Sequence, residues 1–469
     1  MEKRKLTEVS PVILPWKVKI LYAAGSFSKA LLAVTMAAFM LYFYTDVCKI
    51  DSTVAATIIL IAKIWDIIND PMMGAIIDRT HAKEGKCRFW LKYMSVPGMV
   101  IVALCFCVPE LAVTGKIIWV AVTYVLQGMI STSLLIPLNT MISRLTSDEQ
   151  QRVHLTQSDG IGQMLSQWMV VSLTFTLVQI LGGSDAKKGF LYVGIIYGVI
   201  YGVGHLIVYF ATRGYEPVET TEKSVGSVKK IGSALKGIFT SMGAFYRNKV
   251  LLYCGAVAFL YTLGAAIEEG AMAWYFQYMK TDATALYGIY GTVSMPVALI
   301  IYIFLNKIVN KLGNARTVIA GCLFSLTGYA LGFFTQDATR TIMMLRWFLE
   351  GIGVGLIGAV ILLCVFDAKI YGVWKNNDTN SDAILTASYS LSYKIGMAVG
   401  SPILGYLLAV SSYKAGAEVQ TAGVCKMFFY ESTLIPGLIY ILALIFAILM
   451  RKYEKRIPQM QKEIEQRQK

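Results

Sequence analysis

The run Lys63-Ile-Trp-Asp-Ile-Ile-Asn-Asp-Pro71 lies within the second long apolar segment of the chain. At 3.6 residues per turn, Asp66 and Asp70 lie on one face of a helix, with Lys63 one turn earlier and Asn69 beside them. A carboxylate in hydrocarbon costs at least ~2.5–3.5 kcal/mol on insertion scales. We therefore expect this polar face to line a cavity, to bind a cation or to pair with an opposite charge.

The composition indicates a polytopic membrane protein. Of 469 residues, 56% are hydrophobic, and apolar stretches of about 20 residues, the length that crosses a bilayer as a helix, recur along the chain. These stretches predict an all-α membrane protein with twelve transmembrane helices. The predicted segments are 19–46, 52–77, 89–109, 116–143, 157–182, 189–212, 249–279, 284–308, 316–335, 340–366, 383–410 and 428–450.

The net charge of +14 is explained by topology rather than by a nucleic-acid partner. Most lysine and arginine residues fall in the loops that share a side with the two termini, which is the bias typical of cytoplasmic loops. We therefore expect a multi-pass protein of the plasma membrane with both termini cytoplasmic. We expect it to work in the lipid bilayer as a monomer, with no nucleic-acid partner.

A polar stretch divides the chain into two sets of six spans. This layout predicts an N-terminal six-helix bundle, a cytoplasmic linker loop, a C-terminal six-helix bundle and a basic cytoplasmic tail. Their predicted ranges are 1–212, 213–248, 249–451 and 452–469 respectively. Two sets of six spans are the arrangement of a twofold repeat.

The loops that follow the second span of each half support this repeat. The first contains Gly74, Asp78, Arg79 and Arg88, and the second, weaker copy covers 310–316. Basic turns with glycine at equivalent positions of parallel repeats can join the two halves when that side is closed. We therefore predict that the first copy is a gating loop. An ordinary loop that sets topology remains an alternative for the second copy.

The first loop resembles the signature loop of the major facilitator superfamily. The run from Trp65 to Pro71, followed by Gly74, resembles the second helix of the glycoside–pentoside–hexuronide:cation symporters. Further similar stretches are Gly25 to Lys29, Tyr42 to Asp46, Thr123 to Pro137, and Asp367 to Gly372 with Tyr393 and Lys394. The resemblance implies the major facilitator fold, with two six-helix pseudo-repeats that work by alternating access.

The resemblance also implies a cation site. In such symporters the two carboxylates of the second helix and a hydroxyl of the fourth surround the coupling cation, which here assigns Asp66, Asp70 and Thr132 to Na⁺. Asn69 is similar to the asparagine that sets cation selectivity. Oxygen ligands suit hard cations such as Na⁺ or Li⁺, although a proton shared by the carboxylates and a Lys63–Asp66 ion pair stay open as alternatives. No cofactor other than this coupling ion is expected.

The substrate positions depart from the family pattern. Relatives that transport galactosides carry aspartates at the positions of Ala30 and Leu135, an aromatic residue at Asn139 and an arginine at Asp159. Lys29 and Lys394 are retained. We therefore expect a substrate other than a galactoside held in the family's usual way.

Two adjacent glutamates in the seventh span offer other contacts. Neighbouring residues on a helix point about 100° apart, so only one of Glu268 and Glu269 is expected to face the cavity, and the alignment favours Glu269. Trp274 could stack on the apolar face of a sugar. A salt bridge between helices is the alternative role for the glutamates, and pairing with Asp66 or Asp70 is the alternative for Lys394.

The tenth span contains two features with structural explanations. Arg346 and Glu350 are four residues apart and are predicted to form an ion pair. The spacing of Gly353, Gly355 and Gly358 matches a dinucleotide fingerprint, but it lies in a long apolar segment, where close helix packing explains it better.

The predicted function is symport of Na⁺ or H⁺ with a neutral glycoside or short oligosaccharide. The predicted substrate residues are Lys29, Asn139, Asp159, Glu269, Trp274, Tyr393 and Lys394. A cation-coupled carrier of a lysolipid-like or other amphipathic solute is the alternative, since similar second-helix motifs occur in lysolipid-transporting relatives. The sequence contains no HExxH or GxSxG motif, and we do not expect an enzyme.

Overall fold

The structure is a computed structural model that describes residues 13–80, 82–146, 148–216, 248–376 and 382–468. Within these residues, twelve helical segments are long and apolar enough to cross a membrane. The predicted all-α membrane fold is therefore confirmed. Most of the predicted linker, residues 217–247, lies outside the described residues.

The N-terminal half consists of six long helices. They are α1 (Trp16–Ala38), α2 (Ser52–Asp78), α3 (Lys86–Phe106), α4 (Val113–Leu145), α5 (Glu149–Gly182) and α6 (Ala186–Ala211). A short helix, Met40–Tyr42, and a π-helical turn, Phe43–Val47, extend the line of α1. α1 packs against α5 and α6, and α2 packs against α4.

The C-terminal half forms six spans from eight helices. They are α7 (Lys249–Met279), α8 (Ala283–Leu312), α9 (Asn314–Thr335), α10 (Arg340–Val360), α11 (Cys364–Asn376), α12 (Asp382–Val410), α13 (Ala422–Ser432) and α14 (Leu434–Glu454). α10 and α11 form one span, as do α13 and α14. Much of the predicted tail is the helix α15 (Ile457–Gln468), which packs on α11.

The two halves meet mainly along two helix pairs. α2 packs against α12, and α5 packs against α8. The first pair brings the polar face of α2 towards the helix that carries Lys394. We call the end of the bundle where α1 begins and α14 ends the terminal face, and the other end the opposite face.

Aromatic side chains close the opposite face between the halves. The ring centroids of Tyr42 and Trp274 are 5.5 Å apart, those of Phe39 and Tyr287 are 5.4 Å apart, and those of Phe175 and Tyr287 are 4.9 Å apart. Such pairs contribute about 0.5–1.5 kcal/mol each beyond the burial of their area. They form a continuous apolar plug that joins α1 and α5 to α7 and α8.

Small residues allow α9 and α10 to approach closely. A Cβ atom built at Gly353 would lie 2.0 Å from Ser325 Oγ and 2.6 Å from the carbonyl oxygen of Gly321. The backbone of α9 therefore occupies the space that a side chain at position 353 would need. Close packing of small residues, rather than nucleotide binding, accounts for the glycine spacing in this helix.

Replacing Gly353 with alanine should destabilise the fold. The methyl group would press on the α9 backbone, which cannot rotate away, so we expect a loss of roughly 1–3 kcal/mol. Thermal unfolding of the purified protein in detergent measures this loss as a lower midpoint. Gly423→Ala is the matched control, because its Cβ would have its nearest neighbour at 4.0 Å. Equal midpoints for the two variants would contradict the packing argument.

Candidate cation and substrate sites

Both halves of the protein contact Asp70. Thr132 on α4 donates a hydrogen bond from Oγ1 to Asp70 Oδ1 at 3.0 Å, and Lys394 on α12 donates from Nζ to Asp70 Oδ2 at 2.9 Å. The side chains of Asp70 and Lys394 remain 26% and 55% exposed. The predicted pairing of Lys394 is therefore present, and it joins the two halves through a carboxylate that solvent can reach.

Asp66 lies beside this pair. Its carboxylate is 3.6 Å from the ammonium of Lys63, so the expected local pairing is also present. On α4, a Cβ atom at Gly128 would lie 2.4 Å from Asp66 Oδ1. The absence of a side chain at position 128 leaves room for the carboxylate between α2 and α4.

Asn69 is buried, and its amide nitrogen Nδ2 has no hydrogen-bond partner in the part of the chain that the structure describes. Pro71 lies inside α2, and because proline has no N–H, the Ile67 carbonyl loses its helical donor. An unpaired amide and a freed carbonyl lie on the helix that carries both aspartates.

The side chains of Asp66, Asp70 and Thr132 offer oxygen atoms as possible ligands. Over the described ranges, no group of three or more His, Cys, Asp or Glu side chains could hold a metal ion. Asp66, Asp70 and Thr132 supply only oxygen atoms, which are typical ligands of hard cations rather than of transition metals. The carboxylates are neutralised by Lys63 and Lys394 in this conformation, so a cation would replace those ammonium groups.

Three predicted substrate residues meet in the N-terminal half. The Lys29 ammonium is 2.6 Å from Asp159 Oδ1 and 2.8 Å from Asn139 Oδ1. Ser26 and Gln163 also donate to the Asp159 carboxylate, each at 2.6 Å. Lys29 and Asp159 therefore neutralise each other within a network of neutral hydrogen-bonding groups.

A cavity of about 360 Å³ lies between the halves next to this network. Its polar lining includes Gln163, Gln167, Tyr261, Glu269, Tyr302 and Tyr393. Glu268, one residue before Glu269, is instead buried and accepts a hydrogen bond from the Tyr329 hydroxyl at 2.5 Å. The two adjacent glutamates thus point to different surroundings, as the helical geometry predicts.

Trp274 is absent from the lining of this cavity. It lies instead among the aromatic side chains that close the opposite face, which together with Asp46 we call the opposite-face seal. Its ring is fully buried, and Nε1 donates to Asp46 Oδ2 at 2.6 Å. The hydroxyl groups of Tyr278 and Tyr413 also donate to Asp46. Trp274 was predicted to stack on substrate, but in this conformation the Asp46 carboxylate holds it across the halves.

Sequence reasoning did not assign Asp46 a role. Tyr42 to Asp46 is recognisable in the sequence only as a stretch similar to the family. Besides the neighbouring Thr45 hydroxyl, the donors to Asp46 come from α7 and from the segment after α12, which are more than two hundred residues away. The sequence shows only a lone acidic residue at the end of a predicted span, and this pattern does not predict which side chains contact it.

The predicted gating loop packs within the N-terminal half. Arg88 is buried and donates to the carbonyl oxygens of Tyr209 at 3.0 Å and of Glu84 at 2.9 Å. The Lys92 ammonium, 2.6 Å away, lowers the pKa of the Glu84 carboxyl. At Gly74 a Cβ would meet nothing within 4 Å. The loop therefore has an anchored end at Arg88 and an open side at Gly74.

Glu216 holds another part of this loop through hydrogen bonds to its backbone. The sequence does not predict this role for Glu216. Its carboxylate accepts from the backbone N–H groups of Cys87 and Arg88, both at 2.9 Å, and so caps the start of α3. Gly85 has a φ of +99°, and a Cβ there would lie 2.4 Å from Glu216. Arg79 follows α2 at its C-terminal end. The Asp78 side chain lies outside the described residues.

Fold and site define a membrane transporter with a solute cavity between two six-helix halves. A family model described as "MFS/sugar transport protein" matches residues 21–453. The chain therefore belongs to this sugar-transport family of the major facilitator superfamily, and the resemblance to the glycoside–pentoside–hexuronide symporters is confirmed. The members of this family are transporters and not enzymes.

Similar proteins extend over nearly the whole chain. The isoprimeverose transporter of Lactiplantibacillus pentosus is 28% identical over 97% of this chain and 92% of its own length. YagG of Escherichia coli strain K12, provisionally named a glycoside/cation symporter, is 24% identical over 91% of this chain and 90% of its own length. A D-xylose–proton symporter structure aligns with a TM-score of 0.63 at 14% identity, covering 93% of this chain and 97% of its own.

Replacing Asp46 with asparagine should weaken the opposite-face seal. An amide offers one acceptor oxygen where the carboxylate offers two, so Trp274, Tyr278 and Tyr413 cannot all keep their hydrogen bonds to residue 46. Such a loss costs about 1.5–3 kcal/mol, which predicts roughly ten- to hundredfold faster amide exchange at the end of α7. Hydrogen–deuterium exchange measured by mass spectrometry tests this.

Asp185→Asn is the control for this experiment. Asp185 is at the same face, and asparagine preserves its role as the cap of α6. Unchanged exchange at the end of α7 in Asp46→Asn would show that the carboxylate does not hold the seal.

Proposed function

We propose that the protein is a symporter that couples inward movement of a monovalent cation, Na⁺ in the first instance, to uptake of a neutral glycoside or short oligosaccharide. Asp66, Asn69, Asp70 and Thr132 form the proposed cation site. The observation that carries the proposal is the contact of Lys394 with Asp70, because it links this site to the opposite half of the protein.

The coupling follows from competition for one carboxylate. A cation bound at Asp66 and Asp70 would neutralise the charge that Lys394 now neutralises. Lys394 would then be free to contact a substrate in the cavity or to move with α12. A ligand shifts a conformational equilibrium only by its differential affinity for the two states. A cation that must displace the Lys394–Asp70 contact would bind with different affinity to a state that has this contact and to a state that lacks it.

The lining of the cavity favours a neutral solute with many hydroxyl groups. Its volume lies within the usual range of small-molecule sites, ~300–1,000 Å³. Lys29 and Asp159 compensate each other, which leaves Glu269 and the amide and phenol groups as hydrogen-bonding partners. A carboxylate can accept two hydroxyl hydrogen bonds from a sugar. The isoprimeverose transporter among the relatives agrees with a glycoside.

The proposed orientation places both termini in the cytoplasm and the protein in the plasma membrane. The excess of lysine and arginine in the loops at the terminal face supports this orientation. The seal around Asp46 would then close the external side, and the cavity would be reached from inside. We propose that the protein acts as a monomer, since each chain carries the complete site.

Asp70→Asn should abolish cation-driven accumulation of sugar. The variant keeps one acceptor oxygen at position 70 but lacks the charge that holds a cation. Uptake of a panel of labelled glycosides into vesicles containing the purified protein, with an imposed Na⁺, Li⁺ or H⁺ gradient, should fall to equilibration. Asp185→Asn should accumulate sugar as the natural protein does.

Two outcomes of this uptake experiment test the role of Asp70 and the class of solute separately. Continued concentrative uptake by Asp70→Asn would exclude this residue as the coupling site. Absence of sugar uptake under every gradient by the natural protein, in vesicles shown to contain folded protein, would favour the amphipathic solute instead.

Glu269→Gln should weaken sugar binding while leaving cation activation in place. Replacing a charged acceptor by a neutral one removes about 1.5 kcal/mol or more, which corresponds to an increase in KM of roughly tenfold. Initial uptake rates measured against sugar and then against cation concentration distinguish the two effects. The exposed Glu110→Gln serves as control. An unchanged KM for sugar would remove Glu269 from the binding site.

A further inference from the structure

A second group of charged side chains lies within the C-terminal half, away from α2. Arg346 on α10 is fully buried. It donates from Nη1 to Asp337 Oδ2 at 2.7 Å, from Nε to Glu350 Oε1 at 2.8 Å, and from Nη2 to the Ser432 carbonyl. The predicted pair of Arg346 and Glu350 is therefore part of a larger cluster. The proposed transport function does not use this cluster.

Glu268 completes the cluster from α7. Its Oε2 accepts from the Tyr329 hydroxyl, and its carboxyl group lies within hydrogen-bonding reach of Glu350. Glu268 Oε1 and Glu350 Oε2 are both buried and have no donor among the described atoms. A carboxylate has no proton to donate, so two ionised glutamates would leave both oxygens unsatisfied.

The charges in the cluster do not balance. The titratable and charged groups that face it are Glu268, Glu269 and Tyr275 from α7, Tyr290 from α8, Tyr329 from α9, Arg346 and Glu350 from α10, Tyr440 from α14, and Lys280 and Asp337 from the turns at the opposite face. Tyr275 donates to Asp337 at 2.5 Å. Arg346 and Lys280, whose ammonium is 3.2 Å from the Asp337 carbonyl, supply two positive charges against three buried carboxylates. Glu269 is left out of this count because it lines the cavity. One negative charge therefore remains in the cluster, and an unpaired buried charge is costly.

We propose that Glu268 and Glu350 bind a single proton between them. The proton bridges the two oxygens that otherwise lack a donor, and it removes the surplus negative charge beside Arg346. Two carboxyl groups in contact commonly share one proton in this way. The site is separate from the cation site on α2 and lies in the other half of the protein.

This proton would hold α7 against α10. Loss of the proton places two like charges in contact and pushes these helices apart. α7 also carries Glu269 in the cavity wall and Trp274 in the opposite-face seal. The protonation state of the pair therefore acts on the helix that serves both, whatever ion drives transport.

Infrared spectroscopy of the full-length protein in nanodiscs tests the proposal without a transport assay. Protonated carboxyl groups have a C=O stretching band separate from the bands of carboxylates. Glu268→Gln and Glu350→Gln should each lose the same component at neutral pH, because the glutamine amide donates to the remaining glutamate in place of the proton. The double variant should lose no more than either single variant.

Two results would overturn the shared proton. One is an unchanged band in both single variants, and the other is a loss in the double variant equal to the sum of two separate losses. Glu110→Gln, at an exposed glutamate, is the control and should leave the band unchanged. Size-exclusion chromatography and thermal unfolding establish that each variant is folded. If one single variant does not fold, an unchanged band in the other still overturns the shared proton.

Discussion

The arrangement depends on one constraint, which is that a charge within the membrane must have a partner. Asp70 illustrates it most directly, because Thr132 and Lys394 reach its two oxygens from different helices and different halves. The pairing of α2 with α12 brings the lysine to the carboxylate. In the proposed coupling, a cation bound at Asp70 would take the place of Lys394, so this single carboxylate would link ion occupancy to the contact between the halves.

The same constraint applies to α7, which has polar or aromatic side chains in three different surroundings. Successive residues point about 100° apart, and this places Glu269 in the cavity wall and Glu268 in the buried cluster around Arg346. Trp274, further along α7, reaches Asp46 in the seal. A rotation or tilt of this helix alters all three surroundings together. The cavity wall, the buried charged cluster and the closure of the opposite face therefore share one helix.

Hydropathy and spacing predict the twelve spans and the acidic face of α2, because both are periodic features of local sequence. The separation of Glu268 from Glu269 is predictable for the same reason. The partners of Asp46 and Glu216 are not, since Trp274 and Arg88 reach them only through tertiary packing. Sequence spacing identified the Arg346–Glu350 pair but not Asp337, which joins it from a turn. The contact of Trp274 with Asp46 is likewise not predictable, because an aromatic residue near an acid suits a sugar site and a seal equally well.

The two charged sites differ in exposure, and this difference assigns them different roles. The side chains of Lys394 and Asp70 are 55% and 26% exposed, and exposed ion pairs contribute about 0–1 kcal/mol. A cation can displace such a pair at little cost. Arg346 and Asp337 are fully buried, and removing one partner of a buried pair costs about 3–5 kcal/mol. In the proposed transport cycle, the Lys394–Asp70 pair between the two halves is therefore the one that exchanges partners, whereas the buried charges around Arg346 hold the helices of the C-terminal half together.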